Sequence, residues 1–279
     1  MDYSQALKWG QAQLSQSGIL TSRLDCLVLL EDTLDIDRAK ILAQPQTNIE
    51  PAVFKQYQKQ IIKRSRHIPL AYIRQQSEFY GRVFYIDQRV LEPRPESETI
   101  IEELKIILDH TLIAQVLDVG SGSGVLAITT KLEFPTIQVY ATDVDKKCLN
   151  VIRINAQMHS AQISIFQGDL IKPIKNNFWR KQTLVMANLP YVPSHWQINT
   201  SALHEPGRAI FGGPNGLDLY IKLFKQFSDL EHPPIWVITE SMPPQHQQLA
   251  KIANKSGYSL AKTNDFIQCF SWKFHQELH

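Results

Sequence analysis

Val116-Leu117-Asp118-Val119-Gly120-Ser121-Gly122-Ser123-Gly124 is an apolar run that passes directly into glycines alternating with serines. Such a run reads as a buried strand, and the glycines after it let the backbone take positive φ and approach a ligand closely. In open α/β sheets ligands bind at the carboxyl ends of strands, where turns of this kind lead into helices. A dinucleotide fingerprint, Gly-x-Gly-x-x-Gly, requires glycine where this chain has Val125. A Walker-type phosphate loop requires a following Gly-Lys-Ser/Thr, which is also missing here.

Working outward from this turn, strand and helix patterns alternate. Strands are expected near 115–119, 137–142, 162–166, 183–187, 234–239 and 267–274. Helices are expected near 124–133, 146–158, 215–229 and 244–256. This alternation predicts an α/β fold with a doubly wound, mainly parallel sheet. The first eighty residues read instead as helices. Ser4 is placed to cap a helix through about Ser17, stopped by Gly18. Thr21 or Ser22 opens the next, Asp37 starts a short helix ended by Pro45, and Pro51 starts one running to about Arg66. The basic run Lys63-Arg64-Ser65-Arg66-His67 reads as a solvated helix end. Residues 80–86 and 89–91 read as two strands flanking Asp87-Gln88, and Pro93 and Pro95 open a helix through about His110. The expected division is a small all-α domain over 1–78, a β-hairpin linker over 79–92 and the α/β domain over 93–279.

The bulk properties narrow the function classes. The chain has 279 residues, 43% of them apolar, with 29 Lys+Arg against 27 Asp+Glu, a formal charge of +2. That balance gives no argument for nucleic acid as a partner, and direct nucleic-acid binding is not expected. Cys26, Cys148 and Cys269 show neither metal spacing nor a disulfide framework, which suits a reducing cytoplasm. The nine histidines are scattered, so no metal is expected. No stretch reaches the ~20 apolar residues of a membrane span, and the amino terminus carries no basic-then-apolar leader. A cytoplasmic monomer with no membrane partner is the expectation.

Three acids follow three strands in order. Asp118 precedes the glycine turn, Asp143 ends the strand near 137–142, and Asp169 with Leu170 follows the third. The spacing Asp-x-Gly-x-Gly-x-Gly, with Ser121 and Ser123 between its glycines, resembles motif I of class I S-adenosylmethionine-dependent methyltransferases, a Rossmann-like fold. On that reading Asp118 helps receive the cofactor ammonium. Asp143 takes the ribose hydroxyls, since one carboxylate accepts two hydrogen bonds; Asp145 is the neighbouring alternative, and the strand-end position favours Asp143. Asp169 accepts from the adenine amino group while Leu170 packs on the ring.

Asn188-Leu189-Pro190-Tyr191 follows the apolar run Thr183-Leu184-Val185-Met186-Ala187. A planar amide nitrogen is a poor nucleophile because its lone pair is delocalised into the carbonyl. The Asn188 side-chain oxygen and the Leu189 carbonyl can accept from such an NH2 group, orienting it and stabilising developing positive charge. Tyr191 supplies a flat face and Pro190 holds Leu189 extended. These four residues are the expected catalytic and acceptor-binding group, with Asn188 also beside the cofactor.

With both motifs in place, the chain resembles the PrmC/HemK family, the protein-(glutamine-N5) methyltransferases of peptide chain release factors. The resemblance covers essentially the whole length. Phe79-Tyr80-Gly81-Arg82-Val83-Phe84-Tyr85 is similar to that family's linker, and Val90-Leu91-Glu92-Pro93-Arg94-Pro95-Glu96-Ser97-Glu98 to its Leu-Ile-Pro-Arg-Pro-Glu-Thr-Glu segment. Glu205-Pro206-Gly207-Arg208-Ala209, Gly216-Leu217, Glu240, Gln245 and Gly257-Tyr258 match further stretches. The resemblance implies S-adenosylmethionine as cofactor, a release factor as partner, the glutamine of its Gly-Gly-Gln loop as acceptor, and Arg94 and Glu96 as substrate-binding residues. A sister family that methylates a ribosomal-protein glutamine usually has Arg-Ser-Pro in place of this Arg-Pro-Glu. Two departures stand out. Leu189 replaces the family's first proline, a form also seen in ribosomal-RNA adenine dimethyltransferases, which keeps an amino-group methyltransferase of nucleic acid open as the alternative. The family's C-terminal Asp-x-x-Gly-x-Arg is reduced here to Asp265-Phe266-Ile267-Gln268-Cys269-Phe270.

Overall fold

Helix starts in the amino-terminal region are set by local capping chemistry. In the computed structural model, which describes residues 1–273, the first helix is α1 (Tyr3–Gln16). Its cap is Asp2, not Ser4. The Asp2 carboxylate accepts from Gln5 N at 2.8 Å, and Gln5 Oε1 accepts from Asp2 N at 3.1 Å, a reciprocal capping box. Gly18, with φ +75°, follows the helix end as expected. Then come α2 (Ser22–Leu34), α3 (Arg38–Ala43), α4 (Pro51–Ser65) and α5 (Leu70–Arg74). The Asp37 carboxylate caps α3 through Ala39 N at 2.6 Å. The five-residue α5 is too short to show a helical period in the sequence. These helices, with Ile198–His204, form one unit, and Ser77–Gln197 continuing from Glu205 forms a second.

The helical unit has its own core of Ala6, Leu14, Leu29, Leu30, Tyr57 and Ile61. Gly10 lets α1 approach α4, since a Cβ there would lie 2.5 Å from Tyr57 Oη. A buried ion pair, Arg64 Nε to Asp25 at 2.7 Å, joins α4 to α2. Arg64, part of the basic run, is thus buried rather than solvated.

The hairpin is β1 (Gln76–Phe79), whose first residue closes the first unit, and β2 (Arg82–Tyr85) of the second. The expected strands at 80–86 and 89–91 are displaced. Tyr80 and Gly81 both take positive φ, 51° and 69°, and form the two-residue turn themselves. Residues 87–90 turn as well, because Asp87 accepts from Arg89 N at 3.0 Å and from Val90 N at 3.1 Å. Next, α6 (Glu98–His110) is entered by a single 3-10 turn at Pro95–Ser97, so Pro93 lies before the helix rather than in it.

The remaining elements are β3 (Gln115–Val119), α7 (Val125–Glu133), β4 (Gln138–Asp143), α8 (Lys146–Met158), β5 (Ser164–Gln167), β6 (Thr183–Ala187), α9 (Gly207–Ile210), α10 (Asp218–Ser228), β7 (Trp236–Glu240), α11 (His246–Lys255), β8 (Tyr258–Asn264) and β9 (Ile267–Trp272). The sheet order is β5-β4-β3-β6-β7-β9-β8. The first five of these are mutually parallel, and β9 and β8 close the edge antiparallel. This is the doubly wound, mainly parallel sheet expected from the alternation. Strand β8 was not among the expected strands. Most of its residues are exposed, so it carries no apolar alternation to mark it. The last expected strand ends at Trp272, and residue 274 of that expectation lies outside the described residues.

The core of this unit gathers Leu117, Val185 and Val237 from the central strands with Phe224 and Phe227 of α10 and Phe270 of β9. Full burial of each such side chain contributes about 1.5–3 kcal/mol. Chain order reverses beside β3, which pairs with β4 on one side and β6 on the other. The loops after β3 and β6 therefore leave the sheet next to one another, at the place where open α/β sheets bind ligands. Among the described residues, no helix is long and apolar enough to cross a membrane.

Candidate active site

A cleft opens at the carboxyl ends of β3, β4, β5 and β6, all within the second unit. Its floor is the glycine turn. Gly120 and Gly122 have φ of +72° and +57°, and the Gly120 and Ser121 amides donate to Thr142 O at 2.8 and 3.0 Å. Residues Gly120, Ser121, Gly122 and Ser123 line the cleft. Gly124 is not among the lining residues. It begins α7 at φ +84°, and a Cβ there would lie 3.0 Å from Ile152.

The three acids sit in distinct surroundings. Asp118 Oδ2 accepts from Ser121 Oγ and, at 3.2 Å, from Ala127 N, while Oδ1 takes neither bond. Burial pushes its carboxyl up to about 7, against the pull of these donors. Asp143 accepts from Gly122 N at 3.0 Å on one oxygen and from Asp145 N at 2.8 Å on the other. Burial raises its pKa also. A carboxylate carries about four acceptor sites, so Asp143 retains lone pairs beyond these two bonds. Asp169 and Leu170 line the cleft, but the Asp169 carboxylate is held by Lys222 at 2.7 Å and Lys172 at 3.1 Å. Its hydrogen bonds to Lys222 lower its pKa.

Asn188 follows β6, beside the end of β7, where Ala187 pairs with Thr239. Asn188 Nδ2 donates to Ser97 Oγ and to Glu240 Oε2, both at 2.9 Å. The two acceptors lie only 2.6 Å from each other, so they share the NH2 end of the amide, and Oδ1 is the atom left for a ligand. Ser97 Oγ donates to Glu240 Oε2 at 2.6 Å, and Tyr191 Oη donates to Glu240 Oε1 at 3.0 Å. Burial pushes up both the Glu240 carboxyl and the Tyr191 phenol.

Leu189 ties the two motifs together. Its side chain is 2% exposed and lies against Gly120, where a Cβ would come within 2.7 Å of it. Its N–H, absent from a proline, donates to Tyr220 Oη at 3.2 Å. No hydrogen bond among the described residues reaches the Leu189 carbonyl. Asn188, Leu189 and Pro190 line the cleft, whereas Tyr191 stands behind them on Glu240.

Glycines behind the loop let backbone meet backbone. A Cβ on Gly212 would lie 2.1 Å from Pro190 O, and one on Gly216, at φ +73°, would lie 1.9 Å from Tyr191 O. Tyr191 O also accepts from Gln245 Nε2 at 2.7 Å. The Gly216→Ala substitution must therefore displace the Asn188–Tyr191 loop. It is expected to lower the thermal midpoint and cut methyl transfer at least tenfold, by about the 1–3 kcal/mol of an overpacked or strained site. A variant with the wild-type melting curve and turnover would contradict this.

Arg94 also lines the cleft, where its guanidinium binds both oxygens of Glu205 at 2.7 and 2.9 Å. Glu96 is exposed and does not line it. Among the described residues, no group of three or more His, Cys, Asp and Glu side chains is placed to hold a metal ion. The residues that sequence reasoning did not assign to the site are Ser97, Tyr220, Glu240 and Gln245. Ser97, Glu240 and Gln245 carried a family match, but their contacts depend on the tertiary fold.

Residues 5–74 match the PrmC N-terminal domain family and residues 97–205 the methyltransferase small domain family. The chain is 31% identical over 244 residues to the release factor glutamine methyltransferase of Bacillus subtilis, covering 85% of this chain and 83% of that one. It is 31% identical to the enzyme of the same name from Koribacter versatilis, covering 86% of each. This chain belongs to the PrmC/HemK family of release factor glutamine methyltransferases. It is a methyltransferase, and S-adenosylmethionine is its methyl donor. Among solved structures, the T. thermophilus 16S rRNA N2 G1207 methyltransferase superposes with a TM-score of 0.53 at 14% identity, over 71% of this chain and 49% of that chain. That likeness is one of fold. The cleft fits the cofactor on its own terms: a close-approach glycine turn, an acid with an uncommitted oxygen, and a second acid with spare lone pairs at the next strand end.

Proposed function

We propose that this chain transfers a methyl group from S-adenosylmethionine to the side-chain amide nitrogen of the glutamine in the Gly-Gly-Gln loop of a peptide chain release factor. The observation that carries the reading is the Asn188–Leu189 pair of unclaimed oxygens at the cleft. Asn188 Oδ1 and the Leu189 carbonyl are two acceptors on adjacent residues. An amide NH2 offers two donors in one plane. The match fixes the nitrogen and its plane, and the same oxygens stabilise positive charge arising there. The names of the relatives support glutamine over a nucleobase.

When bound, S-adenosylmethionine supplies an electrophilic methyl group on a sulfonium. The residues that hold it are Gly120–Ser123, Asp118 for the ammonium, Asp143 for the ribose hydroxyls, and Leu170 with Asp169 for the adenine. Asp169 acts there through whatever acceptor capacity its two lysines leave. Among the described residues no strong base stands beside Asn188 Oδ1, and the displaced amide proton passes to water. Arg94 and Glu96 shape the entry for the release-factor loop, Arg94 from its bond to Glu205. The helical residues 1–78 recognise the protein substrate, with 79–92 as linker and 93–279 as the catalytic part. The enzyme acts as a cytoplasmic monomer in translation termination.

The test is transfer of labelled methyl to three substrates: a purified release factor, its Gly-Gly-Gln→Gly-Gly-Ala variant, and a ribosomal-RNA fragment. Label is expected on the wild-type factor alone. Label on the RNA alone would overturn the glutamine reading.

A further inference from the structure

We infer that Glu240 is a positioning residue whose carboxylate dictates which end of the Asn188 amide faces the acceptor nitrogen and holds Tyr191 in register with it. Its catalytic consequence rests on the methyl-transfer reading of the cleft. The bond pattern itself rests on geometry.

Glu240 ends β7 and is 1% exposed. Three donors from three parts of the chain converge on its two oxygens: Ser97 Oγ at 2.6 Å, Asn188 Nδ2 at 2.9 Å and Tyr191 Oη at 3.0 Å. An asparagine amide has two ends of nearly equal shape, one donating and one accepting. Nothing steric tells them apart. An ionised carboxylate does, because it only accepts: the NH2 end must face Glu240, and Oδ1 must face the cleft. In the flipped amide, Oδ1 would meet the carboxylate while the NH2 met the substrate NH2, which offers it no acceptor.

The backbone of the same residue reaches the loop by a second route. Tyr220 Oη lies 2.5 Å from Glu240 O and 3.1 Å from Ala187 O, and it accepts from Leu189 N at 3.2 Å. Glu240 is thereby linked to Asn188 and Tyr191 through its side chain and to Leu189 through Tyr220. Both proposed acceptor oxygens belong to residues it anchors. Stability alone does not call for a carboxylate here, since a buried charge carries a desolvation cost that an apolar side chain avoids.

The variant of choice is Glu240→Gln, which keeps shape while replacing one acceptor oxygen by a donor. Turnover is expected to fall by roughly 10²-fold, the scale of a misplaced catalytic group. Affinity for S-adenosylmethionine, read by calorimetry, should stay within about twofold, since Glu240 does not line the cleft. Added to Asn188→Ala, the same change should cost less than about twofold more, because the amide it orients is gone. The side-chain amide protons of Asn188, followed by 15N-edited NMR hydrogen exchange, should exchange faster in Glu240→Gln than in wild type. Unchanged turnover, a fully additive loss on Asn188→Ala, or unchanged exchange would each overturn the inference. If wild type labels no Gly-Gly-Gln substrate, the function reading fails, and amide exchange still decides the role of Glu240.

Discussion

Asn188→Ala is expected to lower methyl transfer to the release factor by about 10³-fold in kcat, with cofactor affinity nearly unchanged. The split follows from geometry. Asn188 Oδ1 is the oxygen left unclaimed by the Ser97 and Glu240 bonds, and Asn188 lines the cleft. Its value is greatest as the amide nitrogen gains positive charge, so it acts on the transition state more than on binding. Asn188→Asp tests the same point with a near-isostere. The new carboxylate would oppose that of Glu240 across the present 2.9 Å contact. It is therefore expected to be poorly active despite keeping an oxygen toward the cleft. Single-turnover rates beside calorimetric binding of S-adenosylmethionine check both variants. An Asn188→Ala enzyme with near wild-type kcat would remove the acceptor clamp from the mechanism.

Asp143→Ala is expected to produce the opposite split: roughly 10²-fold weaker cofactor binding, with a smaller loss of kcat at saturation. Hydrogen bonds to a charged group contribute about 1.5–3 kcal/mol each. Asp143 has two roles to lose. Its carboxylate holds the Gly122 and Asp145 amides at 3.0 and 2.8 Å, which shapes the turn, and the residue lines the cleft. Asp143→Asn separates the two. One amide oxygen can keep a backbone donor, but the anionic double acceptor for vicinal hydroxyls is lost. Its affinity should fall between wild type and alanine. Calorimetry with S-adenosylhomocysteine measures this without turnover, and an unchanged Kd in Asp143→Ala would remove the residue from the cofactor site.

Much of the candidate site was legible because its signals are local. The glycine turn needs residues without a Cβ at φ of +72° and +57°, and such a need is written into consecutive positions. Asn188-Leu189-Pro190-Tyr191 combines an amide, a φ-restricting proline and an aromatic ring in four residues. Asp169 shows the limit. Its position after β5 was readable, but the lysines that hold its carboxylate were not, since Lys222 comes from α10, 53 residues away in sequence.

The misread segments fail for physical reasons that are equally specific. Residues 80–91 contain enough β-branched and aromatic residues for two strands, yet the turn fell at Tyr80-Gly81 because Tyr80 adopts positive φ, which its side chain does not advertise. Strand β8 is an exposed edge and has no buried face to impose alternation. Asp2 displaced Ser4 as the helix cap because Gln5 returns its bond, which makes the earlier start the better satisfied one.

By itself, the amino-acid order determined the α/β class, the family and the two motifs, because periodicity, glycine placement and short-range spacing act within a few residues of the chain. Only the tertiary structure decided how those motifs cooperate. Strand order sets β3 beside β6 and β6 beside β7, so Leu189 packs on Gly120 and Glu240 reaches Asn188 across 52 residues of sequence. A buried carboxylate orients an amide only where the fold has excluded water and brought both to one strand end, and no local pattern in the sequence encodes that proximity.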